Sequence, residues 1–129
     1  MSKHKIVVEF PEIDVNLDVE LDDRLAPKTV QAVLEKLPIE VKINRWGDEL
    51  YTDAMPVKVR EENARALVDL MDVAYWPEGH ALCLFFGPTP ISKGKEIKPY
   101  SPVNVIGKIV SKENIVKRVD DSTSVIIRK

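Results

Sequence analysis

The alternation of apolar and polar residues near the start of the chain predicts a β-hairpin. Ile6, Val8 and Phe10 occupy every second position, and Pro11-Glu12 then interrupts the run. From residue 13 to residue 22, apolar side chains alternate without exception with acidic or amide side chains. A period of two places one side of a strand on a core and the other side in water, as in antiparallel sheets. The two runs are therefore expected to pair with each other.

The period then changes to that of a helix. Pro27 suits the first helical turn, where its missing N–H would have no partner in any case. Polar residues separate the apolar positions that follow, and Pro38 ends the segment. The apolar positions at helical spacing are Val30, Val33, Leu34 and Leu37. The pattern predicts one amphipathic helix of about ten residues that packs this stripe on the sheet.

The rest of the chain predicts mainly short strands. They are expected at residues 41–43, 50–51, 56–59, 73–76, 81–86, 103–110 and 125–127. Residues 81–86 are apolar on both faces and should be covered on both sides. Gly107 marks a bulge or a close backbone approach, residues 112–118 suit a short helix, and residues 61–70 suit either a helix or a connection. About eight strands and one or two capping helices, without a βαβ rhythm, predict a mainly β, closed antiparallel barrel over one domain, 1–129.

The longest irregular stretch, residues 87–102, is expected to cross the barrel surface as an ordered flap. It holds four of the nine prolines, which fix φ and reduce the entropy lost on ordering. Ile91, Ile97 and Tyr100 are its expected apolar anchors, and residues 93–95 are its expected exposed tip. The alternative is a solvated linker.

Composition excludes several classes of protein. Apolar residues make up 44% of the chain and charged residues 31%, with a net charge of −2, so no nucleic-acid surface is expected. Cys83 is the only cysteine and lies in an apolar run, which favours a buried thiol and a reducing, cytoplasmic setting. Neither a signal-peptide core nor an apolar stretch of membrane-spanning length is recognisable, so no membrane partner is expected.

Three segments resemble cyclophilins in the correct order along the chain. Residues 26–30 (APKTV) resemble the start of the first cyclophilin helix. Residues 105–110 (VIGKIV) resemble the cyclophilin strand Val-Phe-Gly-Lys-Val-Val, and Phe85-Phe86 resembles a strand beside the cyclophilin groove. The whole chain resembles a family of small prokaryotic cyclophilin-like proteins of unassigned function, on residues 46–51 (WGDELY), 74–77, 81–87 and 101–109. This resemblance implies a minimal cyclophilin-like barrel of eight strands, and it implies no reaction.

The resemblance raises the question of prolyl isomerase chemistry. Cyclophilins use an Arg near the prolyl nitrogen, an apolar pocket, a Gln, and groove-lining Trp and His residues. Arg45 is the candidate for the guanidinium, although a solvated ion pair with Asp48 or Glu49 at the end of a strand is the favoured interpretation. The only glutamine, Gln31, falls on the polar face of the predicted helix. The favoured hypothesis is thus a non-catalytic module that binds a peptide or small ligand, and the alternative is a peptidyl-prolyl cis-trans isomerase with a degenerate site.

Aromatic side chains supply the candidate binding residues. They are Trp46, Tyr51, Tyr75, Trp76, Phe86 and Tyr100. Aromatic clusters mark binding grooves, but the same residues also build cores. A proline-containing peptide or a small molecule is the expected partner, and the oligomeric state stays open. No cofactor or metal is expected, since the acidic residues around residue 48 lack the spacing of a calcium loop.

Overall fold

Eight strands close into an antiparallel barrel in the computed structural model, which describes residues 2–129. The order around the barrel is β1-β2-β7-β5-β6-β4-β3-β8. The strands are β1 Lys3–Phe10, β2 Val15–Asp22, β3 Ile39–Trp46, β4 Glu49–Thr52, β5 Asp72–Trp76, β6 Ala81–Phe85, β7 Asn104–Ile109 and β8 Thr123–Arg128, and the helices are α1 Pro27–Lys36 and α2 Glu113–Val116. The predicted closed barrel is confirmed. Within residues 2–129, no helix has the length and apolar character needed to cross a bilayer.

The predicted hairpin is formed by β1 and β2. Ile6 pairs with Val19 and Val8 with Leu17, and all four side chains are buried in the barrel. A short 3₁₀ turn, Pro11–Ile13, joins the strands, so the second strand begins two residues later than the alternation suggested.

Helix α1 packs on the barrel through the predicted stripe. Val30 and Val33 are fully buried, and Leu34 and Leu37 pack against the same core while partly exposed. Its first turn has no capping side chain of its own. Instead, the carboxylate of Glu62 accepts hydrogen bonds from the backbone N–H groups of Lys28 at 3.1 Å and Thr29 at 2.9 Å. A distant residue thus satisfies N–H groups that a helix leaves free, which ties the chain beyond β4 to the helix.

Residues 53–71, between β4 and β5, are irregular and are called the connection from here on. The strand predicted at residues 56–59 is wrong, and no helix forms over residues 61–70. The backbone near Val57 finds a side chain as partner, because the Tyr75 hydroxyl donates to Val57 O at 2.6 Å and accepts from Val59 N–H at 3.2 Å. Further along, Arg65 and Val68 form isolated bridges.

Residues 87–102, called the flap from here on, lie along the outside of the barrel. Ile97 is buried and pairs with Val68 of the connection. Within the flap, the Thr89 hydroxyl donates to Lys98 O and the Thr89 N–H donates to Ser92 Oγ at 2.9 Å. Ile91 and Tyr100, which were also expected to be buried anchors of the flap, are 41% and 70% exposed, so of the three expected anchors Ile97 is the buried one.

The connection and the flap cover a second apolar layer. The barrel interior is the main core, and a separate cluster lies on the outer face of β5, β6 and β7. Its buried members are Val68, Ala74, Cys83, Phe85, Ile97, Val103 and Val105. As predicted, β6 is buried on both faces.

Gly107 lies in β7 opposite Leu21 of β2. A Cβ at this position would fall 2.2 Å from the carbonyl oxygen of Glu20, which is backbone and cannot yield cheaply. The pairing of β5 with β7 also shifts register between Val73 and Ala74, so the predicted bulge and the predicted close approach coincide.

We expect Gly107→Ala to lower the free energy of unfolding by about 3 kcal/mol, because the added methyl group forces β2 and β7 apart. Urea unfolding measures the loss. Gly94→Ala is the control, since a Cβ at the flap tip meets nothing within 4 Å in the described part of the chain. An alanine at residue 94 must still adopt the positive φ of 61°, so we expect this control to lose about 1 kcal/mol. Equal losses in the two variants would contradict this interpretation of Gly107.

Candidate ligand-binding site

Strand alternation divides the residues of β4 and β6 between two environments. Leu50, Leu82 and Leu84 point into the barrel and join the main core. Tyr51 and Cys83 point outward, where they pair directly across the two strands. The outer face of these strands, which the flap covers, therefore carries chemically distinct side chains from the interior.

A cavity of about 270 Å³ lies between this outer face and the flap. The strands and the flap both contribute to its wall. The lining residues are Trp46, Glu49, Tyr51, Trp76, Cys83, Pro99, Tyr100 and Val103. Short side chains at Cys83 and Val103, set among large aromatic ones, leave the space open.

The aromatic side chains form successive walls at steep angles to one another. Trp76 meets Tyr51 at a ring-centroid distance of 6.3 Å and Tyr100 at 5.9 Å, and Tyr100 meets Trp46 at 6.2 Å. The interplanar angles are 81°, 75° and 68°. Such edge-to-face contacts are favourable in themselves. The indole N–H of Trp76 donates to Ser101 Oγ at 2.6 Å, which joins this wall to the end of the flap.

Glu49 is the acidic residue of the cavity. It opens β4, pairs with Trp46 across the hairpin, and is 95% buried, with 5% of its surface exposed. Among residues 2–129, its Oε1 atom has no hydrogen-bond partner and is shielded from solvent. A buried polar atom without a partner is costly, and it marks a place where a ligand or a proton belongs.

Burial also sets the ionisation of this carboxyl group. Loss of solvent raises the pKa of Glu49 to about 7, and a hydrogen bond from the Cys83 thiol offsets part of that rise. Burial, with the adjacent Glu49 charge, raises the pKa of Cys83 well above its usual value. The thiol is thus held protonated, as expected for a buried structural cysteine and not for a nucleophile.

The structure brings four of the six predicted aromatic residues to one site. Trp46, Tyr51, Trp76 and Tyr100 line the cavity. Tyr75 and the sixth residue, Phe86, are instead fully buried in the main core. Tyr75 is adjacent to Trp76 in β5, so the alternation of the strand sends the two side chains to opposite faces.

Arg45 is likewise on the opposite side from the cavity. Its guanidinium donates to Gly47 O at 3.1 Å, to Lys117 O at 3.1 Å and to Val119 O at 3.3 Å. It also lies 5.1 Å from the centre of the Phe86 ring. These contacts fasten the β3–β4 hairpin to the segment after α2.

The sequence analysis missed Glu49 as a cavity residue. Its neighbours Asp48 and Asp53 have ordinary surface partners, namely Arg45 at 3.4 Å and the Asn44 amide at 2.9 Å. Within residues 2–129, no three acidic, His or Cys side chains come together as a metal ion would require. The available signal was that Glu49 shares its strand face with Tyr51 beside β6, which was predicted to be covered on both sides.

Comparison with known proteins identifies relatives over the whole barrel. The sequence profile of the Cyclophilin-like family matches residues 4–128. The hypothetical protein AF2241 from Archaeoglobus fulgidus, known from a solution structure, is 46% identical, with 98% of this chain and 94% of that chain covered and a TM-score of 0.81. McbB, solved in complex with tryptophan, is 14% identical with a TM-score of 0.75, and the match covers 96% of this chain and 44% of McbB. No curated protein matches the chain.

We expect Glu49 to make the folded protein less stable as the pH rises from about 4.5 to about 7. In that window the folded state holds a proton that the unfolded state has released, because the pKa rises from 4.5 to about 7 on folding. The loss amounts to about 3 kcal/mol. Glu49→Gln removes this titration, so the free energy of unfolding of the variant relative to the wild type should increase from pH 5 to pH 8.

Urea unfolding at each pH measures this difference. Glu61→Gln is the matched control, because Glu61 is an exposed carboxyl group on the connection. A constant difference between Glu49→Gln and the wild type across the pH range would show that the carboxyl group is not buried as described.

Proposed function

The chain belongs to the cyclophilin-like family, and from that premise we propose that its barrel is a binding module for a small organic molecule held under the flap. The observation that carries the proposal is the cavity itself, which combines aromatic walls with one buried carboxyl group whose Oε1 atom has no hydrogen-bond partner in residues 2–129. Apolar pockets with a few convergent polar groups are the usual form of small-molecule sites.

The size of the cavity limits the occupant. About 150 Å³ is enough for benzene in an engineered apolar cavity, whereas drug-sized pockets begin at about 300 Å³. The present cavity, at about 270 Å³, therefore suits one ring system or one branched side chain. A peptide that inserts a single side chain, such as that of proline, is the second occupant to test.

The polar group of the site gives the occupant an orientation. Glu49 Oε1 has no partner within the described chain, so a ligand that donates a hydrogen bond to the carboxyl group would compensate an existing cost. The aromatic rings would contact the apolar body of the same ligand. McbB, of which 44% matches this fold, was solved in complex with tryptophan, which makes indole and tryptophan reasonable first probes.

Isomerase activity, the alternative function, has less support from the geometry. It needs a guanidinium free to approach the prolyl nitrogen of a substrate. The guanidinium of Arg45 is directed to the carbonyl groups of Gly47, Lys117 and Val119, and it is not part of the cavity wall. We therefore propose a structural role for Arg45.

We expect indole to bind under the flap and Tyr100→Ala to weaken that binding about fivefold, through loss of one aromatic wall. The chain has two tryptophans, and both line the cavity, so the two indole N–H signals in a ¹H–¹⁵N spectrum report directly on it. Tyr100 is 70% exposed, so its removal should leave the fold intact.

Ile91→Ala is the matched control, since Ile91 is another partly exposed apolar residue of the flap and does not line the cavity. Both signals should shift and saturate in the wild type and in this control. If indole, tryptophan and proline amides move neither signal at millimolar concentration, or if Tyr100→Ala binds as well as the wild type, the proposal fails.

Arg45→Ala should lower the free energy of unfolding by about 2 kcal/mol, because three backbone carbonyl groups lose a charged donor. Arg24→Ala is the control, since Arg24 pairs with Asp22 at 2.8 Å on the solvent-exposed surface, where such a pair contributes little to stability. In a protease-coupled peptide assay the wild type should not accelerate prolyl isomerisation. Acceleration by the wild type that disappears in Arg45→Lys would instead establish the isomerase alternative.

A further inference from the structure

The side chains that line the cavity favour one sign of charge in a ligand. Among the lining residues, which all belong to the described part of the chain, Glu49 is the acidic side chain and none is basic. Arg45 and Asp48 lie in the adjoining hairpin but pair with each other at 3.4 Å. On the flap, the Lys98 side chain is exposed and is not part of the wall.

The field around the cavity is negative beyond Glu49. Loss of solvent raises the pKa of the Tyr51 hydroxyl group, and the charges of Asp121, Glu49 and Asp53 raise it further. Cys83 also faces Glu49, and its thiol is held protonated. A cation that enters the cavity therefore meets the Glu49 carboxylate and no competing positive side chain of the wall.

The aromatic walls favour the same sign of charge. Each ring carries negative charge on its face, and a cation within about 6 Å of a ring centre is attracted to it. Neighbouring rings meet at 68–81°, so they surround the space on different sides, as walls of a box do. Aromatic boxes of this kind are how proteins recognise quaternary ammonium groups.

We propose that the cavity binds a small organic cation, with an alkylated ammonium group enclosed by Trp46, Tyr51, Trp76 and Tyr100 and paired with the carboxylate of Glu49. This inference rests on the proposed binding function and gives the chemical class of its ligand. The cation compensates the buried carboxylate, and the carboxylate adds a full charge to the attraction of the rings.

Binding of such a cation is coupled to release of a proton. With a pKa of about 7, Glu49 is mostly protonated at pH 6 in the free protein and must lose that proton when the cation binds. At pH 8 it is already ionised. The affinity for a permanently charged cation should therefore rise about tenfold from pH 6 to pH 8, whereas that for a neutral ligand should stay constant.

Choline and 3,3-dimethylbutan-1-ol are suitable probes, because they have nearly the same shape and differ in charge. Titration of each into the wild-type chain, followed by the two indole N–H signals, should show at least tenfold tighter binding of choline at pH 8. Glu49→Gln should reduce this preference to the part that the rings alone provide, and it should remove the pH dependence. Glu61→Gln, the exposed control, should retain both.

The outcomes separate this inference from the proposal on which it rests. Equal binding of the two probes, or tighter binding of the neutral one, would overturn the organic cation and leave the small-molecule site in place. Binding of neither probe would also overturn it, while the indole titration decides independently whether the cavity is a site. The comparison of probes in the wild type needs no variant, so it holds even if Glu49→Gln folds poorly.

Discussion

The site depends on the burial of strand β6 on both faces. Every residue from Ala81 to Phe85 is buried, and an apolar outer face of this kind must be covered to be stable. The barrel interior covers one face, while the connection and the flap cover the other. Because irregular segments pack less regularly than a second sheet would, the cover leaves a hollow above the short side chain of Cys83.

The carboxyl group of Glu49 places one ionisable group in this otherwise largely apolar hollow. A leucine or valine at the start of β4 would have completed the outer apolar layer with no unpartnered atom. Instead the position holds a group whose charged form is disfavoured by burial and whose Oε1 atom has no partner in residues 2–129. An ionisable group in such surroundings marks a candidate functional site.

The two faces of the strands also explain why aromatic residues adjacent in sequence have different roles. Trp76 contributes to the cavity wall, while Tyr75, beside it, supports the connection through its hydroxyl group from inside the barrel. Trp46 lines the cavity, while Arg45 stacks on Phe86 and binds carbonyl groups on the other side. One sheet thus separates a structural network from the cavity wall by the direction of alternate side chains.

From its periodic and continuous apolar patterns, the sequence alone predicted the hairpin, helix α1, the closed barrel and the double burial of β6. It also indicated four of the cavity's aromatic residues. Only the tertiary structure placed Tyr75 and Phe86 in the core, gave Arg45 its carbonyl partners and showed residues 56–59 to be irregular. The role of Glu49 was decided in the same way, because its burial comes from the flap, whose course over the barrel no local pattern specifies.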